Sequence, residues 1–158
     1  MSKTEEEFIE IVATAAKVHG FDDLSSKIIG ILYIEPKELS LDEIAQKTGY
    51  SLASISNSVK AIENARVIKR LKKPKSHKTY FFMEKDLNKL TREMISKKYN
   101  AEINPAKEKL PGMIKTLREQ TKSSKKDDDK KKLGIMENYL EQIHRCDEIL
   151  AEILKKIS

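Results

Sequence analysis

The stretch LSLDEIAQKTGYSLASISNSVKAIENARVIKRLKKPKSHKTYFF, residues 39–82, decides how this chain folds. Its opening, Ser40-Leu-Asp-Glu43, is a capping box, in which the serine hydroxyl and the glutamate carboxylate each satisfy a backbone N–H at a helix start. Gly49 is expected to end that helix, because glycine enters the left-handed conformation of a C-cap without a Cβ clash. Ser51 then caps a second helix, predicted from Leu52 to about Asn64. The short connection between them predicts a helix-turn-helix.

The second helix has two different faces. Its apolar residues recur at helical spacing and predict one buried stripe of Leu52, Ile55, Val59 and Ile62. The opposite side carries small or hydrogen-bonding side chains, namely Ala53, Ser54, Asn57, Lys60 and Asn64, with Ser56 at its flank. Short polar side chains allow close approach to base edges, and asparagine can pair with adenine. On the helix alone, a serine-rich surface helix is an equally good interpretation.

The segment after this helix predicts a strongly basic β-hairpin. Val67–Leu71 and Thr79–Met83 are β-rich runs, and Pro74 between them suits a loop. No acidic residue lies between Glu63 and Glu84, whereas the bases there are Arg66, Lys69, Arg70, Lys72, Lys73, Lys75 and Lys78, with His77 beside them. Such a run is typical of phosphate binding, although a solvated charged loop would read the same way. Its position directly after a helix-turn-helix favours nucleic acid and predicts a winged helix.

The order of these elements resembles the MarR superfamily of dimeric transcriptional regulators, closest to its GbsR-type branch. The residues that carry the resemblance are Ile28–Ile34, Leu41–Ala45, Ser51–Glu63, Val67–Arg70 and Lys78–Phe81, within roughly residues 10–85. The resemblance implies a homodimer that binds a pseudo-palindromic double-stranded DNA operator, most simply as a repressor. It also implies a small-molecule effector that releases the DNA, for which Tyr33, Tyr50, Tyr99 and Tyr139 are available aromatic residues.

The residues expected to meet DNA lie in two groups. The recognition-helix group is Ser51, Ser54, Ser56, Asn57 and Lys60, and the wing group is Lys69, Arg70, Lys72, Lys73, Lys75, His77 and Lys78. Two positions depart from the family pattern. Arg66 stands where a glycine usually follows the recognition helix, so a different form of turn is expected, and the wing tip reads Lys75-Ser76-His77 without the usual arginine. Insertion of an arginine into the minor groove is therefore not supported.

The flanking segments predict further helices and a dimerisation region. A helix with Phe8, Ile11, Val12, Ala15 and Ala16 on one side is expected to open at a Thr4–Glu7 capping box, and Asp22 starts the next helix, in which Gly30 indicates close helix packing. From Asp86 a long, bent helical arm is expected to about Thr121, with a break or restart at Asn104-Pro105 and a break or kink at Leu110-Pro-Gly112. The last helix, about Asp129 to Ile157, has an apolar face wide enough for an interlocked bundle.

These predictions define a mainly α chain with three regions. Residues 1–20 form an N-terminal helix that contributes to the dimer interface, 21–85 the winged helix-turn-helix domain and 86–158 the C-terminal helical dimerisation bundle. Net charge supports the division, since residues 51–83 hold eight bases and one acid in a chain of net charge +6.

Composition narrows the function classes. The single Cys146 allows no disulfide within one chain, no thiolate metal cluster is expected, and no signal peptide or membrane-length apolar run is present, so the expected compartment is the cytoplasm. With three scattered histidines and no phosphate-binding loop or nucleophile elbow, neither catalysis nor a cofactor is expected. The alternative to a specific regulator is a winged-helix adaptor or architectural protein, which binds protein partners or binds DNA without sequence preference.

Overall fold

The computed structural model describes all 158 residues and divides the chain into two compact units, Met1–Leu90 and Thr91–Ser158. The elements in chain order are α1 (Lys3–Val18), α2 (Asp23–Ile34), β1 (Leu39–Ser40), α3 (Leu41–Thr48), α4 (Leu52–Asn64), β2 (Ile68–Lys72), β3 (Thr79–Met83), α5 (Leu87–Lys98), a π-helical turn (Tyr99–Ile103), α6 (Asn104–Thr121) and α7 (Asp127–Lys156). The predicted mainly helical architecture, with a helix-turn-helix followed by a hairpin, is present.

The strands form one small antiparallel sheet in the order β1-β3-β2. The hairpin pairs Ile68 with Met83 at one end and Lys72 with Thr79 at the other. Strand β1, which the sequence did not predict, pairs Leu39 with Phe81 and Ser40 with Tyr80. A strand of two residues is too short to show the alternation of polar and apolar side chains that predicts a strand from sequence. Its pairing joins the hairpin to the residues that cap α3.

Each helix and strand of the first unit contributes buried side chains to one hydrophobic core. Ile28, Ile31 and Leu32 from α2 are joined by Ile44 from α3, by Ile55, Val59 and Ile62 from α4, and by Phe81 from β3, all with 2% exposure or less. Fully burying an aliphatic side chain of this size contributes about 1.5–3 kcal/mol. The packing therefore fixes which side of α4 faces inward and which faces solvent.

The predicted helix boundaries of this core are confirmed by their caps. The Ser40 hydroxyl accepts from the Glu43 N–H, and the Glu43 carboxylate accepts from the Ser40 N–H at 2.7 Å. That backbone hydrogen bond lowers the pKa of the Glu43 carboxyl below its usual value. Gly49 ends α3 in the left-handed conformation with φ of 74°. These local hydrogen bonds set the start of α3 and the turn into α4.

Helix α1 differs from its prediction in its cap and in part of its buried side, since only Ala16 and Val12 of the predicted side pack in or against the core. The cap is Ser2 with Glu5, which forms an equivalent capping box two residues earlier than Thr4. Ile9, Ala13 and Ala16 are buried, whereas Phe8, Ile11 and Ala15 are exposed, Ile11 by 69%. Both sides of α1 are apolar, so helical spacing alone could not choose between them. The role of α1 in a dimer stays a prediction.

The close packing predicted at Gly30 is confirmed. A Cβ atom at this position of α2 would lie 2.7 Å from the backbone oxygen of Ile9 and 2.8 Å from its Cγ2. Only glycine lets the two helix backbones approach this closely without a shift of α1. The contact holds α1 on α2 within the first unit.

The second unit contains the part of α5 from Thr91 onward, and α6 and α7 packed together with the π-helical turn beside them. The turn coincides with the break predicted at Asn104-Pro105: Asn104 donates its N–H to the Tyr99 carbonyl, five residues back, and Pro105 has no N–H to donate. At the second position, predicted as a break or a kink, no break occurs, because α6 continues through Pro111 to Thr121, where the arm was predicted to end. Ile114, one turn later, is 5% exposed, and we attribute the continuity of α6 to its packing on α7.

The last helix begins two residues before its predicted start. Asp127, Asp128 and Asp129 occupy its first turn, where their charges interact favourably with the positive end of the helix dipole. Residues 122–126 form the connection between α6 and α7.

The turn between α4 and β2 corrects the expectation at Arg66. Arg66 adopts the left-handed conformation with φ of 60°, and its N–H donates to the Glu63 carbonyl at 2.8 Å. The left-handed turn that normally uses glycine is thus formed by an arginine. Its Cβ atom makes this backbone conformation strained.

We expect Arg66→Gly to be more stable than Arg66→Ala by about 0.5–1 kcal/mol, since glycine removes the Cβ strain but adds freedom to the unfolded chain. Both variants lose the same guanidinium, so their difference isolates the backbone term. Urea unfolding of the two variants measures it. An alanine variant at least as stable as the glycine variant would contradict the strain.

Candidate nucleic-acid interface

The N-terminus of α4 is built by hydrogen bonds between serines. The Ser51 hydroxyl accepts from the Ser54 N–H at 3.2 Å and lies 2.9 Å from the Ser54 hydroxyl. Ser51, predicted to meet a phosphate, is therefore also the helix cap. It remains exposed, and Ser54 is half-buried. The cap places both hydroxyls at the end of the helix where backbone N–H groups point outward.

The solvent side of α4 is small and polar, as predicted. Ala53, Asn57, Lys60 and Asn64 are exposed, and Ser56 is half-buried beside them. The Asn57 amide and the Lys60 ammonium group make no hydrogen bond or ion pair within the chain. Asn57 therefore has its full set of two donors and one acceptor oxygen free for another molecule.

Leu52 corrects the predicted buried stripe. Ile55, Val59 and Ile62 are buried, and Ser58 joins them at 9% exposure, but Leu52 is 48% exposed. It is the first residue of α4, and the first buried residue of the helix is Ile55, one turn later. Tyr50, two residues earlier, is 50% exposed. The N-terminal end of this helix thus presents apolar as well as polar side chains to solvent.

The tip of the hairpin is a compact turn around Lys75. Lys75 has φ of 62°, the second left-handed residue that is not glycine. The Ser76 N–H donates to the Lys73 carbonyl at 3.3 Å, and the Ser76 hydroxyl accepts from the Lys78 N–H at 3.2 Å. These bonds hold the side chains of Lys75 and His77 exposed at the tip.

Several of the predicted wing bases are paired with acids of the same unit. Arg70 makes a two-point contact with Glu63, with Nε–Oε1 at 2.9 Å and Nη2–Oε2 at 2.8 Å. Lys78 pairs with Asp42 at 3.1 Å, and both contacts raise the pKa of their cation, first through the hydrogen bond. These acids lie on α3 and α4, so the pairs connect the hairpin to the helix-turn-helix.

Lys73 and Lys72 also have partners. The Lys73 ammonium lies 3.2 Å from the Glu38 carboxylate and 4.2 Å from the centroid of the Tyr80 ring. Lys72 donates to the Thr79 hydroxyl across the hairpin at 2.7 Å. The side chains of the predicted wing group without a hydrogen bond or ion pair within the chain are therefore Lys69, Lys75 and His77.

Sequence reasoning missed both the pairing of the wing and the exposure of Leu52. Glu63 is the only acid among residues 51–83, but nothing in its spacing from Arg70 marks a contact between a helix and a strand. Asp42 and Glu38 lie far before the wing in the sequence, so their positions do not mark them as partners of Lys78 and Lys73. The contacts arise because β1 places that segment against β3.

The second unit carries an open apolar groove and an exposed apolar stripe. The groove has a volume of about 680 Å³ and is lined by Lys109, Gly112, Met113, Thr116, Leu117, Gln120 and Met136. The stripe lies on α7 and consists of Ile135, Tyr139, Ile149 and Ile153, exposed by 68%, 47%, 60% and 37%, with Cys146 between them half-buried. Neither surface is covered by residues of the chain.

The candidate effector aromatics have separate surroundings. The Tyr33 hydroxyl donates to the Lys85 carbonyl at 3.0 Å, and the Tyr99 hydroxyl donates to the Asp147 carbonyl at 3.2 Å. Burial is the main cause that raises the pKa of Tyr99. Tyr50 and Tyr139 are exposed. No group of three or more histidine, cysteine, aspartate or glutamate residues is placed to hold a metal ion, and no helix has the length and apolarity needed to cross a membrane.

Comparison with known proteins finds transcriptional regulators. The chain is 24% identical to "Putative HTH-type transcriptional regulator YvaV" of Bacillus subtilis (strain 168), over 75% of this chain and 80% of that protein. Its structure is similar to a crystal structure described as that of a transcriptional regulator, with a TM-score of 0.64, 17% identity and 97% of each chain covered. No family model matches the chain. The structural likeness establishes a shared fold.

We expect a double-mutant cycle of Glu63→Ala and Arg70→Ala to show favourable coupling in urea unfolding, because the two-point contact fixes both side chains in one geometry. The matched cycle at Asp42 and Lys78 should give a smaller coupling, since both of its side chains are about half exposed, at 51% and 56%. Raising the salt to about 1 M should reduce both. Equal coupling energies in the two cycles would contradict a stronger stabilising contact between Arg70 and Glu63.

Proposed function

We propose that this chain is a homodimeric transcriptional regulator that binds double-stranded DNA with sequence specificity. We assign it to the GbsR-type branch of the MarR superfamily, with repression through promoter occlusion. The observation that carries the proposal is the unpartnered polar face of α4, which lies next to a hairpin with unpaired cations. The named regulators to which the chain is similar support it.

The α4 face has the properties of a helix that enters a major groove. Its side chains are short near the N-terminus, and Asn57 lacks any partner within the chain. A surface helix that only meets water would gain from more glutamate and lysine, whereas a helix that approaches base edges needs small groups with hydrogen-bonding capacity. We assign base-edge contacts to Ser54, Ser56 and Asn57, and contacts to nearby phosphates to Ser51 and Lys60.

The hairpin supplies the phosphate contacts in this proposal. Lys69, Lys75 and His77 are exposed and unpaired, so they can meet phosphates without breaking an internal contact. Arg70, Lys73 and Lys78 would have to exchange Glu63, Glu38 and Asp42 for phosphate, which offsets part of their contribution. Their first role is therefore to set the position of the hairpin.

The exposed stripe on α7 supports the homodimer. Its members follow the alternation of three and four residues that keeps one side of a helix against a partner, with Gln142 at the remaining position. From Ile135 to Ile153 it extends about 27 Å at 1.5 Å per residue. An apolar surface of this length marks an interaction site, and a second copy of α7 offers a complementary surface. Residues 1–20 and 86–158 are the proposed dimer regions.

A dimer would place two recognition helices on one pseudo-palindromic operator, with half-sites about 34 Å apart. Release by a small-molecule effector belongs to the same proposal and rests on the family resemblance. The groove on α6 and α7 offers an apolar surface in the second unit.

We expect Asn57→Ala to weaken binding to the preferred operator by about 1–3 kcal/mol while changing binding to random duplex little. Lys75→Ala should weaken both equally and reduce the slope of log K against log salt by about 0.9, because one phosphate contact is lost. Lys132→Ala, which removes an exposed lysine of α7, is the control. Titrations of the chain's own upstream DNA and of random duplex across salt measure all three.

The same titrations test the function itself. A preference for the operator of roughly a thousandfold over random duplex agrees with a specific regulator. Equal, salt-steep binding to both duplexes would replace it with the adaptor or architectural function.

We expect Ile149→Glu to convert the dimer into a monomer, since it places a charge in the apolar stripe that a second copy would cover. His144→Glu adds the same side chain at an exposed position on the opposite side of α7 and should leave the dimer intact. Sedimentation equilibrium gives the mass of each. A monomeric unmodified chain, or a dimer unaffected by Ile149→Glu, would contradict this interface.

A further inference from the structure

We propose that the recognition helix reads an A·T-rich half-site, in which Leu52 packs on a thymine methyl group and Asn57 pairs with an adenine. The inference rests on the DNA binding proposed above and deepens it, because it names the base pairs and assigns a base contact to a residue outside the polar face.

Leu52 is the observation that leads to this assignment. A half-exposed leucine is ordinary on a protein surface by itself. This one is the first residue of α4, and in helix-turn-helix proteins the N-terminal residues of the recognition helix lie nearest the base edges. Ala53 beside it is also exposed. The thymine methyl is the apolar group that base pairs present in the major groove, so it is the natural partner of an apolar side chain there.

Asn57 supplies the second contact. It lies five residues after Leu52, about 7.5 Å along the helix axis. At 100° per residue it also points about 140° away from Leu52 around that axis, so the two side chains meet different base pairs. Asparagine can bind adenine at N6 and N7 with both ends of its amide, and no group of the chain occupies that amide. The inference therefore predicts an adenine and a thymine at different base pairs of the same half-site.

Few side chains of α4 are placed to read G·C pairs. Guanine is read by arginine or lysine, and α4 contains no arginine and one lysine, Lys60. Its only acid, Glu63, which could accept from cytosine, is held by Arg70 at 2.8 and 2.9 Å. Lys60 lies about 12 Å along the axis from Leu52, where a helix that enters the groove by its N-terminus approaches the backbone. The serine hydroxyls can serve either pair.

The experiment begins with selection of sites from random duplexes by the intact chain. The inference predicts A·T-rich half-sites in the selected pool. Each thymine of the selected site is then replaced by deoxyuridine, which keeps the base pairing and removes only the methyl group. At one position, this replacement should weaken the unmodified chain about fourfold, the effect of one buried methyl group.

Leu52→Ala decides whether Leu52 is the reader. This variant should bind the thymine and deoxyuridine sites equally at that position, with its unfolding midpoint near that of the unmodified chain. Leu71→Ala, which shortens an exposed leucine of the hairpin, should keep the full fourfold difference.

The outcomes separate the two proposals. Specific binding to a G·C-rich site, no effect of deoxyuridine at any position, or an unchanged deoxyuridine effect in Leu52→Ala would overturn this inference and leave the regulator function standing. Selection that enriches no sequence at all would overturn the proposed function first.

Discussion

The burial of one side of α4 is the constraint on which the rest of the first unit depends. Ile55, Val59 and Ile62 are almost completely covered, at 0–1% exposure, by a core that includes Phe81 of β3. A helix with one side held in this way has no rotational freedom, so its opposite side must face solvent. The polar face is therefore presented in a fixed orientation, as a surface that recognises base edges requires.

Electrostatics divides the basic hairpin into two sets of side chains. Arg70 and Lys78 are paired with acids of the helix-turn-helix and Lys73 with Glu38 just before β1, whereas Lys69, Lys75 and His77 are unpaired. Exposed pairs of this kind add little to stability. Their consequence is geometric: they restrict the angle of the hairpin to α4, and they reduce the charge available to phosphates below the count that the sequence suggests.

Local chemistry made much of this fold predictable. The Ser40–Glu43 box, Gly49 and the hairpin runs each act within a few residues, and the structure agrees with them. The failures share a different cause. Leu52 and Ile11 are apolar residues at helical spacing, but whether such a residue is buried depends on what lies opposite it in space. The missed β1 pairing and the continuous path of α6 through Pro111 depend equally on distant partners.

The sequence by itself determined the helices and the hairpin of the first unit, their order and the basic character of the hairpin, because capping, glycine conformation and charge runs are properties of neighbouring residues. The tertiary structure alone decided which of those bases are free, that Arg66 accepts a left-handed turn, and that Leu52 stands at the open end of α4. These features depend on contacts between segments far apart in the chain. Spacing along the sequence carries no record of such contacts.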